Sequence, residues 1–313
     1  MSVKHIRFYF SGLLMTIPFI LFAVGAMLFA GCSQKEETEQ PRPENQKLPI
    51  RVSASLETRV TDSSFEQNDK VGIYVVNYNG STAGTFVNSG NHVDNMGFTY
   101  LASQWNPDSE IYWEDETTKA DFYCYYPYGT PANALAYAVS TSTGQDTDAG
   151  YKSSDFLWGK REGVAPTSGA VAITVNHVMS NVLVYVKPGD GFTDETLAAA
   201  AVSVKICNVK TDATVNLATG VATATGSGKS VTPHDEMGYY RALIVPQTTV
   251  ANSALIIVTI DGVQYTYTPT ESFELKPNTQ HKFTVAVNKV GTGVSIGVGN
   301  WTTDETDHGG SAE

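Results

Sequence analysis

Gly226-Ser227-Gly228-Lys229-Ser230 has the residue types of a phosphate-cradling loop, in which backbone N–H groups wrap an anion and a lysine reaches it. The spacing fails: the motif needs a glycine five residues before the Gly-Lys pair, and that position is Thr223. No strand-to-helix transition follows, so a flexible loop is the expectation. The histidines at 92, 177, 234, 281 and 308 stand alone, without partners at zinc-ligand spacing, and no metal site is expected. His177 lies in a strand-like run, where a hydrogen-bonded core histidine is the natural role. Asp108, Glu110, Glu114, Asp115 and Glu116 could supply a carboxylate pair for acid–base work, but any acidic chain offers such pairs. Asp146-Thr147-Asp148 could touch calcium and lacks a full ligand set. Trp105, Tyr112, Trp113, Phe122, Tyr123, Tyr125, Tyr126 and Tyr128 could stack sugars, and such rings more often fill a sandwich core. No catalytic residues and no cofactor are expected, and the chain is not read as an enzyme.

One residue does point to chemistry. Cys32 ends the run Leu28-Phe29-Ala30-Gly31-Cys32, and the sequence turns polar directly after it, at Ser33-Gln34-Lys35-Glu36-Glu37. Upstream, Lys4, His5 and Arg7 precede an apolar stretch from Phe8 to Ala30. This is the pattern of a lipoprotein signal, with small residues before a cysteine that would be acylated. Phe29 departs from the usual leucine. Removal of residues 1–31 would leave lipidated Cys32, and two or three acyl chains would anchor it stably in a membrane. The alternative is a single membrane-spanning anchor, since the apolar stretch is long enough for a hydrocarbon core of about 30 Å. Pro18 and Ser11 weigh against it.

Composition bounds the exported part. The net charge is −12, and losing residues 1–31 would remove Lys4 and Arg7 but no acid, leaving −14. Phosphates repel such a surface, so nucleic acid is not an expected partner. Cys124 and Cys207 are expected as buried small hydrophobes rather than as a bridge.

The elements that would position these residues are strands. Residues 32–47 read as a signal-proximal tether. Beyond them Ile50, Val52, Ala54 and Leu56 alternate with Arg51, Ser53, Ser55 and Glu57. Further β runs follow at Val71–Val76, Phe122–Tyr126, Ala170–Val175, Val182–Val186, Val202–Ile206, Tyr240–Val245, Ala254–Ile260, Gln264–Tyr267 and Lys282–Val287. Asp261-Gly262 between two such runs predicts a tight hairpin. Asp194–Ala200 could form a short helix capped by Thr193 or Asp194. Pro166-Thr167-Ser168-Gly169 is the candidate boundary. The expectation is an all-β chain of two tandem β-sandwiches, over residues 48–167 and 168–313.

Several of these runs also carry a family resemblance. Thr58-Arg59-Val60 precedes Asp69-Lys70-Val71-Gly72-Ile73-Tyr74-Val75. Then come Ile111-Tyr112-Trp113, Asp121-Phe122-Tyr123, Tyr125-Tyr126-Pro127-Tyr128, Asp155-Phe156-Leu157-Trp158-Gly159, Asn176-His177-Val178-Met179-Ser180-Asn181-Val182, Val245-Pro246-Gln247, His281-Lys282-Phe283-Thr284-Val285 and Trp301. In this order, with the lipobox, they resemble the fimbrillin family of Bacteroidales, subunits of lipoprotein-derived type V pili. Lys35-Glu36-Glu37 likewise resembles the surface-export signal of Bacteroidetes lipoproteins. The resemblance implies Greek-key-like, transthyretin-like sandwiches and a structural or adhesive role at the outer membrane. It implies other pilus subunits as partners, in a homo- or hetero-polymer, and leaves a host protein or glycan receptor open. It also implies proteolytic processing at Arg59, loss of the first strand with Ile50, Val52, Ala54 and Leu56, and refilling of the groove by a neighbour's C-terminal strand. Val294, Ile296 and Val298 have the alternation such a donor needs.

Two other readings stay open at this point. Residues 48–59 could be the permanent first strand of a surface-anchored glycan-binding lipoprotein that does not polymerise. Aromatic residues lining an open face would favour that reading, and buried ones would count against it. A secreted enzyme would show an acid pair in a deep cleft.

Overall fold

The computed structural model describes residues 47–56 and 64–289 and the backbone of 310–312. Cys32, Arg59, Trp301 and the donor positions Val294, Ile296 and Val298 lie outside the described residues. The described chain is all-β apart from two short helices, α1 (Asp148–Lys152) and α2 (Asp194–Ala199). Thr193 is the cap of α2, its hydroxyl accepting the Thr196 N–H. No described helix is long and apolar enough to cross a membrane.

The first sheet has seven strands: β1 (Arg51–Leu56), β2 (Lys70–Asn77), β3 (Val93–Leu101), β4 (Gln104–Pro107), β5 (Ala120–Tyr126), β7 (Leu157–Val164) and β8 (Ala170–His177). Their spatial order is β1-β8-β7-β5-β2-β3-β4. β7 and β8 pair only at Leu157–His177 and Trp158–Asn176, and there the sheet turns back on itself. β1 thereby comes beside β4, with Trp105 Nε1 donating to Ala54 O at 3.1 Å. The enclosed core holds Val52 and Ala54 from β1, Val71, Ile73 and Val75 from β2, Phe122 and Cys124 from β5, and Val171, Ile173 and Val175 from β8. Trp113 and Phe98 join it.

The C-terminal half is a face-to-face sandwich. One sheet runs β13-β10-β17-β18, from β10 (Val202–Val209), β13 (Lys229–Val231), β17 (Ile256–Ile260) and β18 (Val263–Tyr267). The other runs β14-β15-β9-β20-β21, from β9 (Ser180–Pro188), β14 (His234–Asp235), β15 (Tyr240–Ile244), β20 (Gln280–Val287) and β21 (Gly310–Ala312). Val184, Ile206, Ala242, Ile256, Val258, Phe283 and Val285 meet between them. The expected hairpin joins β17 to β18, with Asp261 at φ 47° and Gly262 at φ 85°, as a type I′ turn requires. A small ladder links β16 (Gln247–Thr248) to β19 (Glu274–Leu275).

The remaining sheet crosses the expected boundary. It pairs β6 (Tyr137–Ser140), from the first half, with β11 (Asp212–Asn216), which pairs in turn with β12 (Val221–Thr225). Its inner side chains Val139, Ala213 and Val215 pack on Tyr74, Tyr123 and Tyr125, on the outer faces of β2 and β5. The Pro166–Gly169 stretch expected to separate two domains is the turn between β7 and β8. β8 belongs to the first sheet, as the parallel partner of β1 over Arg51–Ala170 to Leu56–Val175. By strand partnership the halves change over between His177 and Ser180.

Cys124 and Cys207 are buried and unbridged. Ile111-Tyr112-Trp113 shows how sharply one strand-like segment divides its faces: Trp113 is 2% exposed and edge-on to Phe122, while Tyr112 is 40% exposed. Trp113→Ala should therefore cost about 3–5 kcal/mol of stability in chemical denaturation. Tyr112→Ala should change it by only about 0.5 kcal/mol.

Candidate functional site: the slot that holds the first strand

The first strand is bound on both edges. On one side it forms the parallel ladder with β8. On the other, Ile50 N donates to Ile111 O at 2.8 Å and Trp113 N donates to Leu48 O at 2.9 Å. Pro49 and Tyr112 form the antiparallel bridge between these bonds. Farther along, the Trp105 indole reaches Ala54 O. β1 thus fills a slot whose walls are β8 and the 105–113 segment.

Its side chains divide by face. Ile50, Val52 and Ala54 are buried at 2%, 4% and 7% exposure, and Leu56 is partly buried against the same core. Arg51, Ser53 and Ser55 are exposed. Burial of each larger apolar side chain contributes about 1.5–3 kcal/mol. Emptying the slot would expose Val171, Ile173 and Val175 together with one backbone edge of β8. Ile50, Val52, Ala54 and Leu56, the residues expected to be displaced, form the inward face of this strand. The sequence did not single out Trp105, Ile111 and Trp113 as the opposite wall; their aromatic and apolar types signal a core, not which strand they bind.

A cavity of about 310 Å³ opens at the C-terminal end of β1, with Leu56, Phe65, Tyr126, Asp155, His177 and Arg241 among its lining residues. Tyr126, His177 and Arg241 each have a partner within the protein. Tyr126 OH donates to Asp69 Oδ1 at 2.9 Å, and burial, then this carboxylate, pushes the phenol up. His177 Nδ1 lies 2.9 Å from Asp155 Oδ1, so the histidine is hydrogen-bonded as expected, but it lines this cavity, part-buried, rather than sitting in the core. The Arg241 guanidinium lies over the Tyr151 ring at 4.1 Å.

The other chemical candidates are accounted for locally. Lys229 opens β13 and pairs with Asp212 at 2.8 Å, and the glycine-rich stretch before it is a loop from β12 with no helix after it. Asp108 pairs with Lys70 at 2.7 Å and Glu114 with His92 at 3.2 Å. Asp115 accepts the Thr117 and Thr118 N–H groups at 2.7 and 2.6 Å, and bonds from these threonines hold its carboxyl well below the usual range. Thr147 caps α1, and Asp148 faces His234 at 2.9 Å. No group of three or more His, Cys, Asp or Glu among the described residues could hold a metal ion. Four of the eight clustered rings are core, Trp113, Phe122, Tyr123 and Tyr125 all being under 5% exposed; Trp105, Tyr126 and Tyr128 are partly buried and Tyr112 is exposed.

Comparison with known proteins adds to this geometry. A family model described as fimbrillin-like matches residues 58–301. The protein named "Putative fimbrium subunit Fim1C" of Bacteroides uniformis is 28% identical over 295 residues, covering 89% of this chain and 93% of that one. Fimbrium subunit Fim1C of Phocaeicola vulgatus is 27% identical over 139 residues, covering 42% of this chain and 36% of its own. Two crystal structures provisionally described as cell adhesion proteins share the fold. The one from Bacteroides uniformis has TM-score 0.58 at 24% identity, over 79% of this chain and 95% of its own. The one from Bacteroides ovatus has TM-score 0.59 at 17% identity, over 75% and 90%.

The slot's walls make a test possible without touching β1. Trp105→Phe keeps an aromatic ring, though a smaller one, and removes the N–H that holds Ala54 O. It should cost about 1 kcal/mol of stability and speed amide hydrogen exchange in β1 selectively over β17. Unchanged exchange in β1 would show that the indole does not help retain the strand.

Proposed function

The chain belongs to the fimbrillin-like family, and from that premise we propose that it is a fimbrial subunit exported as an outer-membrane lipoprotein and assembled by strand exchange. Its coarse role, structural and at a surface appendage, follows from the family, which is not one of enzymes. The finer reading has three parts: acylation at Cys32, cleavage after Arg59, and insertion of a neighbour's strand carrying Val294, Ile296 and Val298.

The observation that carries it is the seating of β1. It is a short edge strand, buried on one face, whose removal would empty a slot bounded by backbone groups on both sides. An incoming strand with alternating apolar residues would restore both the core contacts and the hydrogen bonds. Leaving buried backbone groups unpaired costs about 1–3 kcal/mol each, which drives refilling. Donor and acceptor lie on different parts of the chain, so the contact is head-to-tail and builds a filament rather than a closed dimer. The glycan-binding alternative is weakened by the burial of Trp113, Phe122, Tyr123 and Tyr125, which leaves Tyr112 as the one exposed ring of the eight.

Subunits cut at Arg59 should form ladders that resist mild denaturant, and Arg59→Ala should leave monomers. Deletion from residue 290 onward should leave cleavage intact and stop assembly. Normal ladders from Arg59→Ala would exclude cleavage-triggered exchange. Separately, Cys32→Ser should abolish acyl labelling and membrane retention; unchanged labelling would point back to a spanning anchor.

A further inference from the structure

Among the described residues, β12 is an edge strand that lacks the usual protection. Exposed edges are normally guarded by charged side chains, proline, bulges or a covering segment. Residues 213–228 contain no charged residue and no proline. β11 and β12 pair without a bulge over five consecutive pairs, from Asp212–Thr225 to Asn216–Val221. On its other side β12 has no strand partner among the described residues. Val221, Thr223 and Thr225 are exposed, with Val221 at 60%, while Ala222 and Ala224 turn inward against the Tyr74–Tyr125 core.

We propose that this edge pairs with the same edge of a second copy, antiparallel about a two-fold axis at Thr223. The axis runs perpendicular to the sheet, so each residue meets one on its own face. Val221 then opposes Thr225 of the second copy, Ala222 opposes Ala224, and Thr223 opposes itself. Only this register keeps all five positions paired with the faces matched. A second copy fits better than an unrelated strand for two reasons. The sequence Val-Ala-Thr-Ala-Thr is its own complement in this arrangement. In addition, the chain carries a net charge of −12, so two copies repel over most of their surfaces but not across a neutral edge. A five-residue ladder falls short of the about 1,000 Å² that a stable interface needs. The contact is therefore weak in dilute solution and forms where subunits are already crowded. It goes beyond strand exchange and does not require cleavage, because β12 lies in a different sheet from β1.

The test uses the uncut full chain with Cys32→Ser in detergent, keeping the buried Cys124 and Cys207. Thr223→Cys should yield a disulfide dimer of doubled mass on mild oxidation, since directly opposed strand residues lie within disulfide reach. Met237→Cys, at a hairpin tip that is 99% exposed, reports random collision and should stay monomeric. Thr223→Lys places two like charges opposite each other at an exposed position. It should abolish the concentration-dependent rise in sedimentation coefficient without changing the melting temperature. A Thr223→Cys dimer yield no higher than that of Met237→Cys overturns the proposal, as does self-association unaffected by Thr223→Lys. A contact between β12 and β6 of the next copy would also give no Thr223→Cys dimer.

Discussion

Gly72 and Tyr125 stand opposite each other in the ladder between β2 and β5, and this pair sets how the molecule is layered. A Cβ at Gly72 would lie 2.1 Å from the Tyr125 ring, so only glycine lets the ring lie across β2. There Tyr125 packs on Phe156 and Tyr137, and its hydroxyl donates to Asn95 Oδ1 or Gly129 O, at 2.7 and 2.8 Å. The opposite face of the same two strands carries Ile73, Val75, Phe122 and Cys124 into the first core. β2 and β5 are consequently buried on both faces and read as nearly continuous apolar runs, whereas β1 and β8 alternate.

This difference bears on which strand could be withdrawn without opening two cores. β2 or β5 could not be withdrawn without opening two cores. β1 contributes to one core only, through Val52 and Ala54 with Ile50 just before it, while the central and C-terminal clusters contain no residue of β1. The part of the fold that strand exchange would disturb is the part whose loss leaves the rest packed. The two-sided hydrogen bonding around β1 would hold it in place in an uncut subunit.

Apolar patterning, alternating in β1 and β8 and nearly continuous in β2 and β5, made most strands legible. Ile50-Val52-Ala54, Val71–Val76, Phe122–Tyr126 and the Asp261-Gly262 hairpin all lie where their patterns put them, and so does the Thr193 cap. Partnership was not legible, because alternation fixes which face a residue occupies and not which strand lies beside it. Pro166-Thr167-Ser168-Gly169 has the composition of a linker and of a hairpin turn alike; only the pairing of Leu157 with His177 shows it to be the turn. The crossing of β6 to β11 is a pairing over a long sequence separation that no local pattern encodes. For the candidate site the occupant strand could be read, but neither wall could: Ala170–Val175 was legible as a strand and not as the partner of β1, and the Trp105–Trp113 segment was not legible as the other side. Cys32, Arg59 and Val294–Val298 rest on sequence alone.

Two kinds of strand addition would then coexist in one subunit, and their energetics differ. A strand entering the β1 slot brings alternating apolar side chains into a closed core, at about 1.5–3 kcal/mol for each large one, besides completing hydrogen bonds on two edges. A strand meeting β12 gains backbone bonds on one edge, at about 0.5–1.5 kcal/mol each, and its outward valine and threonines bury little. Association must also overcome lost translational and rotational freedom, which the slot can exceed and the edge cannot in dilute solution. Axial contacts would be effectively permanent and lateral ones reversible. An acidic subunit could combine the two if its negative charge kept free copies apart until the slot had brought them together.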